Sequence, residues 1–112
     1  MNLAVRTSDT TRIIDISGDV DLRASPLLRK QLFDALKESP KVVINLTAIR
    51  YIDSSGIAVM LETLKESQRL KRQFVLYGMN GLVHDVFKLT HVIQIFQVVD
   101  TEEQALALGA GK

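Results

Sequence analysis

Apolar and polar positions alternate at the start of the chain. Leu3, Val5 and Thr7 interleave with Ala4, Arg6 and Ser8. After the turn-prone Ser8-Asp9-Thr10, a β-rich run from Arg12 to Ser17 puts Ile14 and Ile16 on one face. A two-residue period predicts strands, and the short link between them predicts an antiparallel hairpin. Gly18-Asp19-Val20-Asp21 is expected to end the second strand. The period then lengthens. Leu28, Leu32, Ala35 and Leu36 fall at i, i+4, i+7 and i+8, the apolar stripe of a helix. Its expected start is Ser25 as N-cap followed by Pro26, and Ser39-Pro40 is its expected stop.

Lys41 to Leu46 contains Val42-Val43-Ile44, a run that suits a strand covered on both faces, as in a parallel sheet. Ile49 to Asp53 leads into a second helix with Ile57, Met60, Leu61 and Leu64 as its core stripe. Glu62, Lys65, Glu66 and Arg69 form the opposite, charged face. Phe74-Val75-Leu76-Tyr77 predicts another buried strand, broken by Gly78. Asn80 can cap a third helix bearing Leu82, Val83, Val86, Phe87 and Leu89, and Ile93 to Val99 predicts a final edge strand. Thr101-Glu102-Glu103-Gln104 fits a capping box that opens a short helix through Leu108. The order β-β-α-β-α-β-α-β-α predicts a single α/β domain over residues 1–112, with a core at about 3–108 and a flexible tail at 109–112. Its sheet is expected to be mainly parallel, with the N-terminal antiparallel hairpin and about four helices.

Composition narrows the function classes. A chain of 112 residues buries enough surface to fold without staples, and it has no Cys, which removes disulfides, thiol chemistry and Cys-based zinc sites. The 14 basic and 13 acidic residues are interspersed. The densest basic cluster, Arg69, Lys71 and Arg72, falls at the end of a predicted helix, where cations complement the helix dipole. Direct nucleic-acid binding is therefore not expected. With no signal peptide and no apolar window of about 18 residues, the expectation is a soluble cytoplasmic protein without membrane insertion. No Walker A or Gly-x-Gly-x-x-Gly fingerprint calls for a cofactor. His84 and His91 have no cysteines with which to complete a metal site. Ser54, His84 and Asp53 make a hydrolase triad only on paper, because no Gly-x-Ser-x-Gly elbow exists and Asp53 adjoins the serine instead of orienting the histidine.

Chemistry is expected at the loops beyond the carboxyl ends of the strands. Three junctions qualify: Gly18-Asp19-Val20-Asp21, Asp53-Ser54-Ser55-Gly56 and Gly78-Met79-Asn80-Gly81. The second is the sharpest. It puts two hydroxyls at a helix start, where free N–H groups and the dipole favour an anion, followed by a glycine that permits close approach of another backbone. A phosphoserine there would add roughly −1.5 to −2 charges beside Asp53. In isolation the same serines also suit a plain helix cap, and Asp21 a plain turn.

The combination of Gly18-Asp19-Val20-Asp21, the strand through Ile44 and Tyr51-Ile52-Asp53-Ser54-Ser55-Gly56-Ile57 resembles the STAS domain family. Lys88-Leu89-Thr90-His91, Ile95-Phe96 and the closing Thr101 helix resemble its C-terminal stretch, so the likeness covers about residues 3–108. The resemblance implies a non-enzymatic anti-sigma factor antagonist. The unmodified form would bind a GHKL-type anti-sigma factor that is also a serine kinase. Phosphorylation of Ser54, less readily Ser55, would abolish binding, and a PP2C-type phosphatase would restore it. The docking surface implied is Asp21, Asp53, Ser54, Ser55 and Gly56, with Ile57 and Met60 of the following helix. Many relatives carry Gly where this chain has Ala58. The resemblance also admits a different role, an accessory subunit of an ABC-type phospholipid transport complex, against which the hydroxyl of Ser54 weighs.

Overall fold

Strands β1 (Asn2–Ser8) and β2 (Thr11–Val20) form the expected antiparallel hairpin in a computed structural model that describes residues 1–109. Asp9 turns it at φ +54°, a conformation that aspartate tolerates better than most residues. Helix α1 (Ser25–Glu38) and strand β3 (Lys41–Ile52) follow, then α2 (Ser54–Leu70) and β4 (Gln73–Tyr77). The chain closes with α3 (Gly81–Leu89), a 3-10 turn at Ile93–Ile95, β5 (Gln97–Val99) and α4 (Glu102–Ala107). The tail expected at 109–112 lies outside the described residues beyond Gly109.

The sheet order is β1-β2-β3-β4-β5, with β2 to β5 parallel. Because successive parallel strands are neighbours, right-handed crossovers carry α1, α2 and α3 to the same face. There Ile14, Ile16, Val42, Ile44, Phe74 and Leu76 of the sheet join Leu28, Leu32, Ile57, Met60, Val83 and Phe87 of the helices in the main core. The other face is covered by α4 alone, with Ala105 against Ile13, Val43, Val75 and Tyr77. All helix N-termini of the crossovers, and the carboxyl ends of β2, β3 and β4, therefore share one end of the molecule.

Several boundaries depart from the sequence expectation. β2 does not stop at Gly18. It runs on to Val20 because Gly18 adopts φ +84° at a register shift, a left-handed conformation that costs glycine little. β3 is one strand of 12 residues, not a run to Leu46 and a separate lead-in. Two irregularities against β2 absorb its extra residues, one where the Asn45 carboxamide accepts from the Thr47 N–H (3.0 Å) and hydroxyl (2.8 Å). Ser25 is the first residue of α1, not its cap. The N-cap position is Ala24, which has no capping side chain, and Asp21 instead holds the turn before it, its carboxylate accepting from the Ala24 N–H at 3.1 Å and its carbonyl from the Ser25 hydroxyl at 2.8 Å. The expected last strand from Ile93 shrinks to Gln97–Val99, its first three residues forming the 3-10 turn, though β5 is an edge as anticipated. On α2, Leu61 and Leu64 are only partly buried, while Val59, Thr63 and Ser67 face the core.

One polar network fixes α4. The Arg6 guanidinium donates to Asp15 (2.7 and 2.8 Å) and to Glu102 (2.7 and 3.2 Å), and the Tyr77 hydroxyl donates to Glu102 at 2.9 Å. Hydrogen bonding to Arg6 is the main reason both carboxyls stay below the usual carboxylate range. Tyr77 is pushed up to about 12, chiefly by burial and then by its bond to Glu102. The Thr101 capping box is present in full, as the sequence predicts.

Candidate functional site

The end of β3 and the start of α2 are held by one aspartate. Asp53 is the N-cap of α2, with extended backbone, and its carboxylate accepts from the Ser55 N–H (2.9 Å), the Gly56 N–H (3.3 Å) and the Ser55 hydroxyl. These donors keep its pKa below the ordinary value, the Ser55 hydroxyl contributing most. The Asp53 N–H donates to the Val20 carbonyl at 3.2 Å, which ties the carboxyl ends of β2 and β3 together and brings Asp21 alongside.

Two adjacent serines thus acquire different chemistry. Ser55 is half-buried and its hydroxyl donates to Asp53. Ser54 is the first residue of α2, exposed, and its hydroxyl makes no hydrogen bond among the described residues. It stands at the positive end of a 17-residue helix, so negative charge placed on it is favoured by the helix dipole. The third junction is structural: Asn80 donates to the Ile49 carbonyl at 2.7 Å and accepts from the Val83 N–H at 3.0 Å, fixing α3 against β3.

The structure gives the residues expected at the docking surface roles within the chain itself. Ile57 and Met60 are 3% and 0% exposed, so their side chains belong to the core. Each contributes roughly 1.5–3 kcal/mol of burial, which fixes the helix that carries Ser54. Gly56 does permit close approach, but by this chain's own core. A Cβ there would lie 2.7 Å from Ile52 Cγ1 and 2.8 Å from Val20 Cγ1. Asp21 and Asp53 do stand at this end, yet both spend their carboxylates on backbone N–H groups. Residues that the sequence did not single out are also exposed here: Leu22 (74%) directly after Asp21, and Tyr51 (47%) two residues before Asp53. Apolar exposure has no sequence signature, because each residue also fits a buried pattern.

The STAS domain profile matches residues 2–105, nearly the whole described chain. The chain belongs to the STAS domain family. Among curated STAS relatives, the anti-sigma-B factor antagonist of Listeria monocytogenes is 25% identical over 104 residues, 91% of each chain. The anti-sigma F factor antagonist of Paenibacillus polymyxa is 26% identical over 96 residues, covering 84% of this chain and 82% of that one. In fold, an anti-sigma factor antagonist from Mycobacterium paratuberculosis superposes with a TM-score of 0.85 at 21% identity, covering 94% of this chain and 90% of that one. The Bacillus cell fate determinant SpoIIAA in its phosphorylated form gives 0.72 at 19% identity, covering 94% and 96%. The five-stranded sheet, the antiparallel first pair and the four helices are thus this STAS domain's architecture.

Proposed function

We propose that this STAS protein is an anti-sigma factor antagonist whose binding is switched by phosphorylation of Ser54. One observation carries the reading: the Ser54 hydroxyl is exposed and unengaged at the helix entrance, while Ser55 beside it is tied to Asp53. The curated relatives of matching length are named antagonists of anti-sigma factors, and SpoIIAA is known in a phosphorylated form.

In the unmodified state the loop docks an anti-sigma factor, freeing the sigma factor that this partner would hold. The partner is of the GHKL type and is itself the kinase. Ser54 Oγ attacks the γ-phosphorus of ATP, ADP leaves, and the hydroxyl proton passes to solvent. The product carries roughly −1.5 to −2 charges, next to the carboxylate of Asp53. The helix dipole stabilises that dianion within the chain, while the partner must accommodate it at the contact. A PP2C-type phosphatase hydrolyses the ester and restores docking. The protein acts by binding, in the cytoplasm; no helix among the described residues is long and apolar enough to cross a membrane.

Incubation with the cognate kinase and γ-labelled ATP tests this. Wild type and Ser55→Ala should take up label and Ser54→Ala should take up none, while Ser54→Ala still binds the kinase. Label retained in Ser54→Ala would overturn the assignment.

A further inference from the structure

Seven large apolar side chains are exposed among the described residues, and four of them gather at the end that carries Ser54. Leu22 (74%) follows β2, Leu27 (52%) lies in the first turn of α1, Tyr51 (47%) is next to last in β3, and Leu82 (46%) lies in the first turn of α3. A scattered exposed leucine is ordinary on a protein surface; a gathering at one end marks a contact. The acidic groups of this end point the other way. Asp21 caps the turn before α1 and Asp53 caps α2, so neither carboxylate is free to supply attraction. Asp19 is likewise engaged, by Arg50 at 3.0 and 3.2 Å.

Leu22 and Tyr51 are the members closest along the chain to the phosphoacceptor. Val20 and Ile52 are register partners in neighbouring parallel strands, and the Val20 carbonyl accepts from the Asp53 N–H. Leu22 and Tyr51 therefore stand on neighbouring chain ends, each within a few residues of the junction that carries Ser54.

We infer that Leu22 and Tyr51 are the apolar anchors by which the unphosphorylated protein seats on its kinase, which presents a matching apolar hollow. The inference rests on the docking role proposed above and adds what supplies the affinity. It also changes how the switch works. A dianion at the rim of an apolar contact must shed water to let the contact close, and that desolvation cost opposes docking whatever the partner's charge. Repulsion between like charges would be screened by salt; desolvation is not.

The experiment measures kinase affinity by calorimetry and Ser54 labelling in parallel, at about 50 and about 500 mM NaCl. Leu22→Ala and Tyr51→Ala should each weaken binding about tenfold or more, as buried anchors do, with unchanged melting temperatures because both side chains are exposed. Labelling of these variants should show a raised KM and an unchanged kcat. Val5→Ala, an exposed apolar residue of the outer strand, should leave affinity within about twofold of wild type. Wild-type affinity should shift by less than about threefold between the two salt concentrations. Both anchor variants binding like wild type while Ser54 still labels would overturn the inference and leave the phosphorylation reading intact. So would steep salt dependence accompanied by loss of binding in Asp21→Asn. A wild-type protein that neither binds nor labels removes the docking role itself, and the anchors with it.

Discussion

Replacing Ser54 by aspartate separates two effects that a phosphate combines. At the first residue of α2 a carboxylate meets the positive end of the helix, a favourable contact of about 0.3–1 kcal/mol. Ser54→Asp should therefore melt at or slightly above the wild-type temperature while binding its kinase more weakly; a fall in both would mean that the variant merely unfolds. Asp53→Ala is the opposite case. It strips the cap from two backbone N–H groups and the Ser55 hydroxyl, and should cost about 1 kcal/mol, read by chemical denaturation. The loss should fade in acid. The folded pKa of Asp53 is depressed, so its contribution is present above the ordinary value near 4 and disappears as pH falls through the folded one. At this scale the sequence shows that Ser54 and Ser55 flank a helix start. Which hydroxyl is consumed internally follows from the extended backbone of Asp53, a geometry that adjacency along the chain does not encode.

Among elements, α2 shows how tightly the site is set against its support. Gly56→Ala gains about 0.5–1 kcal/mol of helix propensity but forces a methyl into the γ-carbons of Ile52 and Val20. Those carbons are buried and branched close to the backbone, so overpacking, at about 1–3 kcal/mol, wins. The variant should melt several degrees lower. Strand β3 was the least legible element. Thr47 and Ala48 interrupt its apolar run because an irregular register breaks the alternation that a period of two relies on. The helix boundaries at Asn80 and Thr101 were legible, since each cap is a side chain in the sequence; at α2 the serines suggested themselves as caps, where Asp53 holds that position. For α1 the N-cap position, Ala24, has no capping side chain and Asp21 holds only the preceding turn, so a search for the nearest hydroxyl finds the wrong residue.

Across the whole molecule, the order and handedness of elements followed from the change between strand and helix periods, while the surface they leave open did not. Arg6 joins strand β1 to helix α4 across 96 positions of sequence. Its side chain is 44% exposed, so Arg6→Met should cost only about 1 kcal/mol at neutral pH. Asp15 and Glu102 have depressed pKa values, so the penalty should be full above their ordinary values near 4 and shrink as pH falls through the folded ones. Urea titrations of the two proteins at neutral and at acid pH measure it. At the basic extreme the sign reverses: the stabilisation from neutral Tyr77 is complete below the free phenol's value and is lost as pH rises through about 12, where phenolate absorbance should show a step missing in Tyr77→Phe.

The placement of α4 also orders events during synthesis. Residues Asn2 to Phe96 hold the buried members of the main core, so that core can close before α4 has left the ribosome. Ile13, Val43 and Val75 then wait uncovered, a greasy strip on the back of a nascent sheet, until Ala105 emerges to meet them. A chain stopped at Asp100 should consequently bind a hydrophobic dye and form aggregates, while the same truncation supplied with residues 101–109 on a separate peptide should bind less dye.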